Sequence, residues 1–190
     1  MSVSTSVPAF PVPKTVALVG LMGTGKTAVG KRLAQRLGLP FVDADAAIEA
    51  AAGNVTIEEI FERHGEAFFR AREREVIRRL LGDPVCVLAT GGGAYLDTET
   101  RELIRARAIS VWLKADIELM MARVARRNNR PLLKGKDPRA VFEEQISQRY
   151  PLYAQADIAV ESVDGPPEKS LDRVLAALAK FLGVTAGAAS

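Results

Sequence analysis

Cysteine and histidine each occur once in the 190-residue chain. A lone Cys86 excludes an internal disulfide and any cysteine-cluster metal site. A lone His64 excludes a multi-histidine zinc centre and argues against histidine-centred catalysis. Long apolar runs are missing too. The longest uncharged stretches, residues 1–13 and 84–96, hold thirteen residues each, whereas a membrane-spanning helix needs roughly 20. Charge of one sign is scarce: the net charge is +3, too small for a dedicated nucleic-acid binder. Such a small excess fits a local cleft for anions better. Met1–Pro13 carries three prolines and three serines but no basic start and no long apolar core. It therefore reads as neither a secretory signal nor an Arg-rich transit peptide, and the expected location is the cytoplasm.

What is present is an ordinary globular composition, 48% apolar and 26% charged, long enough for one domain with a sizeable core. The expected domain runs from 14 to 183, with short tails at 1–13 and 184–190. Apolar runs at Thr15–Gly20, Phe41–Asp43, Val85–Ala89, Ile109–Leu113 and Ile158–Val160 read as strands buried on both faces, as in a parallel sheet. Helical signals lie between them. Val29, Leu33 and Leu37 repeat at helical spacing before Gly38 and Pro40. Thr56 and Glu59 form a capping box opening a helix toward Gly65, and Phe69, Val76, Ile77, Leu80 and Leu81 stripe the next. Asp116 and Asp137-Pro138 start two more, and Pro167–Gly183 is amphipathic. Alternating strands and helices predict an α/β layer fold. The least regular interior stretch, Asn128–Asp137, reads as a loop.

Between the first strand and first helix, Gly20–Thr27 matches G-x-x-x-x-G-K-[ST] in the context that this phosphate-binding motif requires. Glycines allow successive N–H groups to curl around a phosphate, and the new helix points its positive end at the same anion. The backbone of Gly23, Thr24, Gly25, Lys26, Thr27 and Ala28 is thus the expected nucleotide cradle. Lys26 reaches the β/γ-phosphates, and the Thr27 hydroxyl is suited to Mg²⁺. A GTPase would carry N/T-K-x-D on a later strand, and none occurs. Large motor ATPases need far more chain, which leaves a small kinase as the leading class.

Three further groups are placed at strand ends or nearby. Asp43 and Asp45 in an extended segment point the same way; the alternative is a polar turn with a helix cap. One carboxylate can serve Mg²⁺ and its water, the other a substrate hydroxyl. Gly91, Gly92 and Gly93 bring backbone close to a ligand. Arg70 and Glu73 are i, i+3 neighbours on a helix, so that a braced guanidinium can take a carboxylate.

With the phosphate loop at Gly20–Thr27, F-x-D-x-D at Phe41–Asp45, F-R-x-x-E at Phe69–Glu73, G-G-G at Gly91–Gly93, R-P-L-L at Arg130–Leu133 and R-x-P-L-Y at Arg149–Tyr153, the chain from about Lys14 onward resembles the shikimate kinase family. The resemblance implies a nucleoside-monophosphate-kinase-like fold, a five-stranded parallel sheet flanked by helices with a mobile lid. It implies an enzyme that uses ATP and Mg²⁺ to phosphorylate the shikimate 3-hydroxyl, on the route to aromatic amino acids; a monomer is expected. By motif, Asp45, Arg70, Arg149 and the Gly91–Gly93 backbone hold shikimate, and Asp43 supports Mg²⁺. Arg130 in the lid meets the phosphoryl charge alongside Lys26, and Asp45 orients the hydroxyl. Arg123 matches the arginine at the lid base that contacts adenine, and Ser162–Pro167 stands where the adenine loop lies.

Setting aside the five cations Lys26, Arg70, Arg123, Arg130 and Arg149 and the two carboxylates Asp43 and Asp45 reduces the net charge of +3 to zero. The basic excess thus belongs to the cleft, with no nucleic-acid patch. His64 at a helix end, Cys86 and Trp112 in strands and the interleaved charges of Arg70–Arg79 read as structural. The rival readings are another small-metabolite kinase, such as one for gluconate, and a nucleotide-dependent switch acting on a macromolecule.

Overall fold

The computed structural model describes residues 9–126 and 137–184. Arg130, the Arg130–Leu133 motif and most of the expected lid at 128–137 lie outside the described residues. Chain order is β1 (Thr15–Val19), α1 (Lys26–Leu37), β2 (Phe41–Asp43), α2 (Ala44–Ala51), α3 (Ile57–Leu80), β3 (Val87–Ala89), a short 3₁₀ turn (Ala94–Leu96), α4 (Thr98–Arg107), β4 (Ala108–Lys114), α5 (Ile117–Ala125), α6 (Pro138–Tyr153), β5 (Ile158–Glu161) and α7 (Pro167–Leu182).

The strands form one five-stranded sheet in the order β2-β3-β1-β4-β5, with every pairing parallel. Side-chain alternation divides the core into two layers. Val16 and Leu18 of β1, with Val111 and Leu113 of β4, pack with Leu33 of α1 and Val174 and Leu178 of α7. Ala17, Val19 and Trp112 face the opposite layer, with Phe69 and Ile77 of α3, Ile104 of α4 and Phe142 of α6. From β1 the chain steps out to β2, returns through β3, and crosses β1 to reach β4. This reversal puts the switch point, where open α/β sheets bind ligands, at the carboxyl end of β1.

Sequence reading and structure differ in several places, among them α4 (Thr98–Arg107), for which the sequence reading gives no helix. Asp45 is not extended. The strand ends at Asp43, which caps α2 by accepting from Asp45 N, because the alanine-rich Ala44–Ala51 segment favours helix once a capping aspartate precedes it. The two helices read on either side of Gly65 abut as one element, Ile57–Leu80, interrupted by Gly65 at φ 78°. The capping box at its start is formed as expected. Finally, part of the presumed N-terminal tail packs: Phe10 is only 5% exposed, and Ala9 N donates to Arg36 O at 2.9 Å.

Candidate active site

The turn after β1 closes into α1 through Gly25, the N-cap residue, at φ 96°. L-residues other than glycine rarely adopt this conformation. Inside the loop, Thr24 Oγ1 donates to Leu21 O at 2.9 Å, and Lys26 Nζ donates to Gly20 O at 2.7 Å and Leu21 O at 2.9 Å. The lysine therefore lies over its own loop, where backbone amides and the positive end of α1 already favour an anion.

The loop faces β2. Thr27 Oγ1, in the first turn of α1, donates to Asp43 Oδ2 at 3.1 Å, and Asp43 Oδ1 accepts from Asp45 N at 3.1 Å. One carboxylate thereby joins the phosphate loop to the start of α2. A cavity of about 440 Å³ opens between them, lined by Lys26, Thr27, Asp43, Asp45, Gly92 and Arg123 among others. Gly23, Gly25 and Ala28 also line it. Arg70 and Arg149 do not. They are joined to it through the glycines that follow β3.

At those glycines three carboxylate and guanidinium groups converge. A β-carbon on Gly91 would fall 2.8 Å from Asp45 Oδ1 and 2.9 Å from Glu73 Oε1. A β-carbon on Gly93 would fall 2.6 Å from Arg70 Nη1. A side chain at either position would force these groups to shift. The Arg70 guanidinium donates to Glu73 Oε2 at 2.6 Å and to Glu66 Oε1 at 3.3 Å and lies against the Phe69 ring at 5.2 Å. Arg149 Nη1 donates to Gly92 O at 3.4 Å, and the Tyr153 hydroxyl donates to the same carbonyl.

Burial sets the electrostatics here. Glu73 is 2% exposed, and its Oε1 has no hydrogen-bond partner. Burial pushes its carboxyl above the usual range against the pull of Arg70. On the arginine, burial acts downward, but Glu73 and Glu66 outweigh it and hold the guanidinium charged. Burial pushes the Tyr153 phenol up to about 12, so it remains a donor at neutral pH.

Arg123, from α5, bridges two loops. Its Nη1 donates to Gly23 O, Thr24 O and Ser162 Oγ at 3.3, 3.2 and 2.8 Å, and its Nη2 donates to Val163 O at 2.6 Å. Among the described residues, the expected donor-side residues apart from Thr24 thus border one cavity, while Arg70 and Arg149 meet the glycines beside it. Three contributors are not site residues in the sequence reading: Glu66, which braces Arg70, Tyr153, which donates to Gly92 O, and Ser170, which accepts from Val163 N. The Tyr153 hydroxyl could have been suspected from its place in R-x-P-L-Y. Ser170 carries no signal in its local sequence.

Comparison with known proteins agrees with this geometry. Residues 22–179 match the family model described as shikimate kinase. A shikimate kinase of Paramagnetospirillum magneticum is 54% identical over 171 residues, covering 90% of this chain and 87% of the relative. Among solved structures, shikimate kinase from Acinetobacter baumannii in complex with shikimate superposes with a TM-score of 0.82 at 38% identity, covering 90% of this chain and 93% of that one. A gluconokinase from Sinorhizobium meliloti reaches a TM-score of 0.61 at 18% identity, over 90% of this chain and 95% of that one, a likeness of fold alone. Identity above one half to a relative matched over nearly its whole length, together with a family model spanning most of the sequence, means that the chain belongs to the shikimate kinase family.

Proposed function

We propose that the chain transfers the γ-phosphoryl group of ATP to the 3-hydroxyl of shikimate, giving shikimate 3-phosphate and ADP. The observation that carries this reading is the convergence of Asp45, Arg70 and Arg149 on Gly91–Gly93, beside a cavity whose other wall is the phosphate loop. A hydroxy-acid acceptor needs that combination: guanidinium groups for its carboxylate and a carboxylate for its hydroxyls.

The roles follow from position. Gly23–Ala28 cradle the donor phosphates, and Lys26 meets the charge on the moving phosphoryl group. Arg130, outside the described residues, is assigned the same charge by its motif. Arg70, braced by Glu73 and Glu66, presents a planar fork to the acceptor carboxylate, and Arg149 adds a second cation. Asp45 aligns the attacking hydroxyl and takes its proton. Because phosphoryl transfer passes through a loose transition state, alignment contributes more than proton removal.

Thr27 Oγ1 and Asp43 Oδ2 are two hard oxygens 3.1 Å apart on the cavity wall. That donor set fits Mg²⁺, which takes few protein ligands and shares the rest of its shell with phosphate and water. When bound there, the ion neutralises phosphate charge. The deciding experiment is ADP release with shikimate, gluconate and AMP side by side: shikimate alone should support turnover, and turnover with gluconate or AMP in its place would overturn the assignment.

A further inference from the structure

The loop between β5 and α7 has little to hold it by itself. Pro166 and Pro167 have no N–H to give, Gly165 sits at φ 100°, and α7 begins without a side-chain cap. Its anchoring comes from outside. Ser162 N donates to Lys114 O at 2.7 Å. Both polar groups of the Val163 backbone are taken by side chains: its N–H donates to Ser170 Oγ at 3.1 Å, and its carbonyl accepts from Arg123 Nη2 at 2.6 Å.

Ser170 and Arg123 are themselves connected. Ser170, in the first turns of α7, is 1% exposed, and Ser162 is 5% exposed. Their hydroxyls lie 3.4 Å apart, and Ser162 Oγ accepts from Arg123 Nη1 at 2.8 Å. The same guanidinium holds the carbonyls of Gly23 and Thr24. All four of its acceptors are neutral oxygens. Burial pushes the Arg123 pKa down, against the opposing pull of Asp164 and Asp116, and the four hydrogen bonds offset part of the desolvation. Ser170, Gly165, Arg123 and Gly23 line one cavity.

We propose that Ser170 is a positioning residue for the donor nucleotide: through Ser162 and Arg123, its hydroxyl fixes residues 162–165 relative to the carbonyls of Gly23 and Thr24. The base end and phosphate end of the donor site are thereby set as one unit before the nucleotide arrives. Without the hydroxyl, the Val163 N–H loses its acceptor and the loop must be ordered at the expense of binding energy. The inference rests on the reading of this cavity as the ATP site, but not on the identity of the acceptor.

The test measures ADP affinity by calorimetry, without acceptor, for the parent, Ser170→Ala, Ser162→Ala and the double variant, with a melting curve for each. A lost neutral hydrogen bond corresponds to about a three- to tenfold weaker ADP affinity. Both single variants should show that loss, and the double variant should lose less than the sum of the two, because both hydroxyls hold the same loop against Arg123. For Ser170→Ala, steady-state kinetics should show a matching rise in the KM for ATP, with turnover at saturating ATP and the KM for shikimate shifted less than twofold. Unchanged ADP affinity in folded Ser170→Ala, or losses that simply add, would overturn the inference. If Ser170→Ala does not fold, Ser162→Ala alone decides: unchanged ADP affinity there breaks the chain. A parent that binds ADP but does not phosphorylate shikimate would remove the acceptor assignment and leave this test intact.

Discussion

The Thr27 hydroxyl donates to Asp43 Oδ2 across 3.1 Å, so the first turn of α1 is tied to the end of β2 at the wall of the donor cavity. Asp43 also caps α2, which lets its two functions be separated. Asparagine caps a helix about as well as aspartate, but it lacks the charge that holds a divalent cation. Asp43→Asn should therefore melt close to the parent, while the Mg²⁺ concentration for half-maximal turnover rises about ten- to a hundredfold. A Mg²⁺ titration of initial rates checks this, and an unchanged midpoint would take Asp43 out of the metal site.

Lys26→Ala should lower turnover about a hundred- to a thousandfold, the scale for removing one donor aimed at developing charge. The Lys26 ammonium also holds Gly20 O and Leu21 O, so a loss of about 1 kcal/mol in stability should accompany it. Denaturant unfolding separates the two effects. Near-parental turnover in a folded variant would remove Lys26 from the mechanism.

Arg70→Lys keeps the charge but loses the fork that reaches Glu73, Glu66 and the acceptor together. Shikimate affinity should fall about ten- to a hundredfold, and ATP affinity measured alone should stay unchanged. Shikimate with its carboxylate converted to an amide provides the control. If Arg70→Lys discriminates acid from amide as well as the parent, the arginine does not grip the carboxylate.

Asp45→Asn and Arg130→Ala should both act on turnover more than on acceptor binding, for different reasons. An amide still hydrogen-bonds a hydroxyl but is a poor proton acceptor, so Asp45→Asn should cost about a hundred- to ten-thousandfold in kcat. Arg130→Ala removes the cation that its motif assigns to the transferring phosphoryl group. Single-turnover rates with both substrates saturating check the pair; losses confined to the KM for shikimate would place either residue in acceptor binding alone.

Glu73 predicts a pH signature. Burial raises its carboxyl pKa in the folded state, so the folded chain binds a proton that the unfolded chain releases near the ordinary value. The stabilisation from that bound proton is fully present below the unfolded pKa of about 4.3 and is lost as pH rises through the folded value. Relative to Glu73→Gln, which mimics the protonated form, the parent should lose stability as pH climbs from about 4.3. Urea midpoints across pH 4 to 7 read the difference, and a flat difference would mean that Arg70 fully offsets the burial of Glu73.

The chemistry of the phosphate loop is legible in the sequence because its parts are contiguous. A loop of the Gly20–Thr27 pattern offers its own backbone to a phosphate, and each residue's part in it depends on neighbours a few positions away. The strands were legible for a related reason: runs such as Thr15–Val19 are buried on both faces, and continuous apolar sequence is what two-sided burial selects. Local rules failed where two of them competed. Asp45 followed a strand and was read with strand alternation, but the capping carboxylate of Asp43 had already turned the chain into α2.

What the sequence by itself determined is thus the class of fold, the phosphate-loop motif and, through motifs in family order, the side chains expected at the acceptor. Only the tertiary structure decided how they meet. Arg149 reaches the carbonyl of Gly92 from 57 residues away, and Arg123 holds Gly23 and Thr24 from 100 and 99 residues away. No periodicity records such contacts, because they depend on how α3, α5 and α6 pack over the sheet. The same holds for Ser170. In the sequence it is one serine in an amphipathic helix, and its place behind Val163 exists only because α7 packs beside β5, putting a buried hydroxyl where a loop with two prolines needs an acceptor.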